Sequence, residues 1–229
     1  WVMIQKTKID TKEEDKLIFE NVYFKWPGQE KFIIENCNFS IGGPGLWMLL
    51  GKNGCGKSTI LKLIKGILQP NKGKIKRPDN LSMVFQNPDH QILMPTCGSE
   101  LILNIKEKIS KKDIHEKVNQ VLIDVGLKGF LKRPVHTLSG GQKQKLAIAS
   151  ALISKSNFIL MDEPTALLDE FSQMQIIEII KSLTDKPYQP ITVLWITHRL
   201  EELIYADKAS KMINGKFSLW QNPNNFKEK

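Results

Sequence analysis

Gly51-Lys52-Asn53-Gly54-Cys55-Gly56-Lys57-Ser58-Thr59 decides the fold of this chain. The stretch fits G-x-x-x-x-G-K-[ST], a phosphate-binding loop. An apolar run, Leu46-Trp47-Met48-Leu49-Leu50, precedes it, and Ile60-Leu61-Lys62-Leu63-Ile64 follows with helical periodicity. Strand, loop and helix in that order turn a pattern match into a site. Gly51, Gly54 and Gly56 let backbone N–H groups approach phosphate oxygens with no Cβ in the way. The helix opening near Gly56 adds the positive end of its dipole. Lys57 supplies a mobile cation for the β- and γ-phosphates, Ser58 a hydroxyl for Mg²⁺ and Thr59 a second hydroxyl. The nucleotide-binding set is therefore Gly51, Asn53, Gly54, Cys55, Gly56, Lys57, Ser58 and Thr59. A chance Gly-rich turn is the competing reading, and the flanking strand and helix disfavour it.

Working outward, Leu17 to Trp26 and Phe32 to Ile41 read as two strands separated by Pro27-Gly28-Gln29-Glu30. Pro70-Asn71-Lys72-Gly73 reads as a turn, Lys74-Ile75 as the start of a short strand, and Leu81 to Phe85 as a buried strand. Helical spacing dominates from about Gly98 to Gly129, through Leu101, Ile105, Ile109, Ile114, Val118, Val121, Leu122 and Val125. This predicts a helical subdomain, about 88–155, inserted into an α/β core. Leu138-Ser139-Gly140-Gly141-Gln142 opens a helix through Ile153. Phe158-Ile159-Leu160-Met161 suits the centre of a parallel sheet and ends in Asp162-Glu163-Pro164. A helix around 172–183, the strand Ile191 to Thr197 and His198 follow. Asn214-Gly215 between apolar runs predicts a hairpin. Residues 1–16 read as a flexible leader, 17–221 as one domain and 222–229 as a flexible tail.

The chain has 229 residues and a formal net charge of +9. Its basic residues are spread without aromatic interleaving, so a solvated Lys-rich surface is expected rather than nucleic-acid binding. Cys37, Cys55 and Cys97 are widely spaced, which suggests neither a disulfide framework nor a zinc site. No apolar run approaches the 18 or more residues that a membrane span needs.

In this order and spacing the motifs resemble the ATP-binding cassette (ABC) ATPases over nearly all of residues 17–221. The resemblance rests on the phosphate loop, Gln86, LSGGQ at Leu138–Gln142, the run Phe158–Asp162 with Glu163, Ala166-Leu167-Leu168-Asp169, and His198. It implies a P-loop NTPase fold: a RecA-like α/β core, an N-terminal antiparallel β subdomain and an inserted α-helical subdomain. ATP and Mg²⁺ are the implied ligands. Asp162 ends an apolar strand beside the loop and would hold Mg²⁺ with Ser58 and Gln86. Glu163 would act as general base, a role that contributes ~10²–10⁴-fold. His198 and Lys57 would contact the γ-phosphate, and Gln86 would sense it. Trp26 stands where a family aromatic stacks on adenine. Ser139, Gly140, Gly141 and Gln142 sit at a helix N-terminus, a ready anion site. In the family that site grips the γ-phosphate held by a second cassette, and Asp169 bridges the two sites. The chain thus carries two half-sites and implies a homo- or heterodimer closed head-to-tail around two ATP.

Val84-Phe85-Gln86-Asn87-Pro88-Asp89-His90-Gln91, with Arg133-Pro134, is similar to the energy-coupling-factor and cobalt-type importers. Trp195 to Leu203 looks like plant-plastid members of that group. Two departures stand out. Cys97-Gly98-Ser99-Glu100-Leu101 replaces an acidic stretch that faces the membrane partner, and Cys55 replaces a usual Ser or Ala. The resemblance implies the ATPase subunit of an importer, bound peripherally to an integral membrane subunit on a cytoplasmic or stromal face. The alternative is a non-transport ABC ATPase, either a scaffold ATPase or half of a tandem-cassette translation factor.

Cys55 supplies the first test. Alkylation with a bulky thiol reagent should block ATP binding in a nucleotide-binding assay, and full ATPase activity after complete modification would refute that expectation.

Overall fold

The computed structural model describes residues 16–226. The read leader lies outside the described residues except for Lys16. Nine strands and five α-helices form two sheets with helices packed around them, among the described residues. A six-stranded sheet has the order β5-β6-β7-β3-β8-β9. Its members are β3 (Gly45–Leu50), β5 (Leu81–Val84), β6 (Phe158–Asp162), β7 (Thr192–Thr197), β8 (Lys208–Ile213) and β9 (Lys216–Phe217). The strands β5, β6, β7, β3 and β8 run parallel, and β9 returns antiparallel. A second, antiparallel sheet places β1 (Leu17–Phe24) between β2 (Ile34–Ile41) and β4 (Lys72–Lys76).

Alternation along the parallel strands sorts the core into two layers. Phe158, Leu160, Leu194 and Ile196 face one side with Leu49, where α1 (Lys57–Ile64) and the antiparallel sheet cover them. Ile159, Met161, Val193 and Trp195 face the other with Leu46, Met48 and Leu50. That side is covered by α4 (Gly140–Ile153) and α5 (Glu170–Thr184), and α2 (Cys97–Leu103) and α3 (Lys111–Asp124) pack beyond them. A strand apolar at every position is thus buried on both faces.

The sequence-based boundaries change at four places. In β1 the buried positions are Leu17, Phe19, Val22 and Phe24, so the alternation slips by one. A bulge between Phe19 and Val22 accounts for it: Asn21 takes φ +48° and donates its N–H to Asn38 Oδ1 at 2.8 Å. The turn expected at 70–73 ends earlier, because Lys72 pairs with Tyr23 inside β4. The helical stretch is interrupted between Leu103 and Lys111, where Asn104 and then Ser110 mark a stop and a new N-cap. The tail read as flexible from 222 instead forms a 3-10 turn at Pro223–Phe226, and Phe226 packs on the large core layer. The hairpin at Asn214-Gly215 has φ +48° and +78°, both positive as a two-residue primed turn requires.

This topology positions the site. The carboxyl ends of four adjacent parallel strands carry, in spatial order, Gln86 after β5, Asp162-Glu163 at β6, His198 after β7 and Gly51 after β3. Ligands of open parallel sheets bind beyond those ends. Register keeps the ends level: Leu50 lies opposite Thr197, and Asp162 opposite Ile196.

Candidate functional site

The phosphate loop leaves β3 and enters α1 without a side-chain cap. Gly56 is the N-cap residue at φ +111°, and no side chain bonds to the first-turn amides. Those N–H groups have no intrahelical partner and point toward the cleft, the arrangement that receives an anion. A Cβ on Gly56 would lie 2.6 Å from Met212 Cε, the movable end of a side chain, so it is chiefly the positive φ that calls for glycine here. The loop is braced from below by the Asn-Gly hairpin, whose Gly215 N–H donates to the Cys55 carbonyl at 3.2 Å. Cys55 is half-buried, whereas Cys37 and Cys97 are buried.

Lys57 is nearly buried, and its Nζ donates to the carbonyls of Gly51 at 2.5 Å and Lys52 at 3.1 Å. It also stands 3.6 Å from Glu163 Oε1. On the other side, Glu163 Oε2 is 2.9 Å from His198 Nδ1. With Glu163 ionised, Nδ1 carries the hydrogen and donates. One carboxylate is thus held between a lysine from the phosphate loop and a histidine from the neighbouring strand. Glu163 is the residue before a proline and has φ +43°, a left-handed conformation that costs a side-chain-bearing residue free energy.

Asp162 lines the same cleft. Burial pushes its pKa up from the ordinary aspartate value, the Glu163 charge adds to that, and Lys57 opposes both. A carboxylate desolvated beside a like charge is a seat for a cation. The cleft measures about 490 Å³ and is lined by Trp26, Asn53, Gly54, Gly56, Lys57, Ser58, Thr59, Gln86, Asp162 and Glu163 among others. Trp26 stands edge-on to Phe24, with Lys62 Nζ 5.5 Å from its ring centre.

The remaining assigned residues form a second cluster outside this cleft. Ser139 Oγ accepts from Gln142 N–H, and Gln142 Oε1 accepts from Ser139 N–H at 3.0 Å, a capping box at the start of α4. A Cβ on Gly141 would approach Ser172 Oγ to 2.7 Å, so the signature presses directly on α5. Asp169 caps α5: Oδ1 accepts from Ser172 N–H at 2.9 Å and Oδ2 from the Ser172 hydroxyl at 2.8 Å. Those bonds lower its pKa below the usual carboxylate range. Within one chain, therefore, Ser139, Gly140, Gly141, Gln142 and Asp169 lie together but do not line the cleft.

Sequence reading missed the ties between the two clusters. Gln144, 1% exposed, donates from Nε2 to the Phe85 carbonyl at 3.2 Å, and Lys143 pairs with Asp89 at 2.7 Å. Both link α4 to the segment that carries Gln86. No local signal marks Gln144, which stands between Lys143 and Lys145 in the sequence. Glu100 is another surprise: the one acid left in the altered 97–101 stretch is buried, and its Oε2 accepts from the Leu93 and Met94 N–H groups at 2.9 Å.

Residues 34–166 match the ABC transporter family. ABC transporter I family member 10 of Arabidopsis thaliana is 44% identical over 188 residues, which are 80% of this chain and 69% of that protein. The energy-coupling factor transporter ATP-binding protein EcfA1 of Ureaplasma parvum is 35% identical over 211 residues, 86% of this chain and 71% of that one. Among solved structures, cbiO1 of Clostridium perfringens, part of the ABC transporter complex cbiONQ, superposes with a TM-score of 0.84. It is 26% identical, with 91% of this chain and 89% of that chain covered.

Asp162 yields a stability test. Its folded pKa lies above the ordinary aspartate value of 3.8, so the folded state binds more protons than the unfolded state between the two values. Stability is therefore lost as pH rises through that window, and at pH 7 the ionised Asp162 costs free energy. Asp162→Asn should raise the melting temperature of the nucleotide-free chain. Solvent screening at this partly buried group limits the gain to about 1 kcal/mol, or roughly 2–4 °C at this chain length. In calorimetry the gain should vanish at pH values below the window. A lower melting temperature at pH 7 would show that the carboxylate is compensated in the folded chain.

Proposed function

We propose, for a chain that belongs to the ABC transporter family, that it is the ATP-hydrolysing subunit of an energy-coupling-factor or cobalt-type importer. The observation that carries the reading is Glu163 held between Lys57 and His198 at the mouth of the phosphate loop. The α1 amides and Lys57 receive the phosphates. Lys57 exchanges its two carbonyl partners for β- and γ-oxygens, which releases Glu163 from a competing charge. Glu163 takes the proton of the attacking water, and His198 fixes the carboxylate in place through Nδ1. Trp26 offers its ring to adenine at the outer rim of the cleft.

The donor set also fits Mg²⁺. Ser58, Gln86 and Asp162 present hard oxygen ligands in the cleft. Among the described residues no group of three or more His, Cys, Asp or Glu could hold a metal by itself. Mg²⁺ commonly takes one or two carboxylates and completes its shell with phosphates and water, and Asp162 would be that carboxylate here. When bound, it would neutralise charge on the β- and γ-phosphates.

Ser139, Gly140 and Gly141 at the α4 N-terminus form the other half of the active site, contributed to the cleft of a second cassette. A chain with both halves intact closes two equal sites with a copy of itself. Asp169, on the same surface as the signature, lies between the two sites in such a pair. The work of closure passes to a separate integral membrane subunit, a reading supported by the similarity to ATP-binding proteins of transporters; no helix among the described residues is long and apolar enough to cross a membrane. The chain sits peripherally on that subunit. The stromal face of a plastid-type membrane is supported by the Trp195–Leu203 stretch. A vitamin or transition-metal ion as cargo rests on the resemblance to the importers, and a similar solved structure is described as a putative metal-chelate type ABC transporter.

Affinity purification from detergent-solubilised membranes tests this. An integral membrane protein should be retained and should change the ATPase rate of the chain. Recovery with ribosomes or a soluble scaffold, and with no membrane protein, would favour the non-transport ATPase instead.

A further inference from the structure

We propose that Glu202 is a positioning residue for the Glu163–His198 pair, its buried carboxylate bridging the turn after Glu163 to the turn after His198. The inference rests on the reading of Glu163 as general base. Glu202 is 3% exposed and lies in the 3-10 turn Leu200–Tyr205. Its Oε1 accepts from the Thr165 hydroxyl at 2.5 Å, and its Oε2 accepts from the Trp195 indole N–H at 3.2 Å. Arg199 Nε stands 3.9 Å from Oε1. Thr165 and Trp195 are themselves buried.

The placement of these partners decides what the carboxylate does. Thr165 is two residues after Glu163, in the turn that leads to the Asp169 cap of α5. Trp195 lies on β7, which ends just before His198. The backbone at Glu163 is held in the left-handed region, with its N–H on the Ile196 carbonyl at 2.9 Å and its carbonyl accepting from Ala166 N–H at 3.1 Å. A residue so placed keeps its direction only while the surrounding turn is fixed. Two bridges then cross between the loops after β6 and β7: Glu163 to His198 facing the cleft, and Thr165 to Glu202 beneath it.

Stability alone does not account for an acid in this place. A buried carboxylate gives up its hydration, and an apolar side chain of similar volume would pack without that penalty. What leucine cannot do is accept hydrogen bonds from both the turn after β6 and the strand β7. Glutamine can keep both contacts, because its carbonyl accepts from Trp195 while its amide donates to the Thr165 oxygen.

The test compares Glu202→Gln, Glu202→Leu and Trp195→Phe by steady-state ATPase kinetics, nucleotide affinity and the ¹H–¹⁵N ring signals of His198. Misplacement of reacting groups by about 1 Å can cost ~10²-fold, so Glu202→Leu should lose about ten- to a hundredfold in kcat. Its KM and its affinity for ATP should stay within about threefold of the wild type. Glu202→Gln should keep kcat within about threefold, and Trp195→Phe, which removes one of the two bonds, should fall between. The His198 ring signals of Glu202→Leu should move toward those of Glu163→Ala, and those of Glu202→Gln should not. Wild-type kcat in Glu202→Leu would overturn the proposal. So would equal loss in the Gln and Leu variants, or a loss of affinity in parallel with kcat. Should Glu202→Leu not fold, Trp195→Phe with an unchanged kcat and unmoved His198 signals overturns it. Should the wild-type chain hydrolyse no ATP, the ATPase reading fails, and the His198 signals alone decide whether Glu202 positions the pair.

Discussion

The structure depends on one carboxylate being held between a lysine ammonium and a histidine ring at the level ends of parallel strands. Glu163 reaches Lys57 on one side and His198 on the other only because β6, β7 and β3 are neighbours in register. Register follows from burial. All three strands are buried on both faces, and a one-residue slip would exchange the two core layers wholesale. Packing two layers of apolar side chains against a parallel sheet thereby fixes atoms far from the core to within hydrogen-bond distance.

The same ends concentrate unfavourable electrostatics. Asp162 and Glu163 are adjacent acids, one desolvated and raised in pKa, the other on a strained backbone. Lys57 is buried between two backbone carbonyls and the Glu163 carboxylate. Such a site is stabilised by what binds it. Phosphates would engage the uncapped α1 amides and Lys57, and a divalent cation would meet Asp162. The α/β core carries this cost, as functional sites commonly require of their scaffolds.

Much of this was legible in the sequence because local chemistry and tertiary role coincide there. Gly51 to Thr59 can do little else but cradle an anion, and the apolar runs at 158–161 and 191–197 could only be inner strands. The Asn214-Gly215 hairpin was equally direct. What could not be read was long-range or irregular. The bulge at Asn21 depends on Asn38 across the sheet. The tail from 222 packs because Phe226 meets Leu200 and Leu203 at the far side of the core. Gln144 to Phe85 and Thr165 to Glu202 span 59 and 37 residues, and nothing local distinguishes such a glutamine or glutamate from a solvated one. Asp169, expected to bridge the two sites of a pair, caps α5 beside the signature, a local role that its place before Glu170 does not announce.

Within one chain the signature helix is tied to the Gln86 segment by Gln144 and Lys143, and pressed on α5 through Gly141. Yet Ser139, Gly140 and Gly141 do not line the cleft of their own chain, so the account stands or falls on a second cassette meeting them. Light scattering on Glu163→Gln, with and without Mg-ATP, addresses this most directly. Removing the base should trap the closed pair, and the account expects an ATP-dependent doubling of mass from the single chain. A variant that binds ATP yet keeps the mass of one chain would contradict closure of two equal sites by a copy of itself.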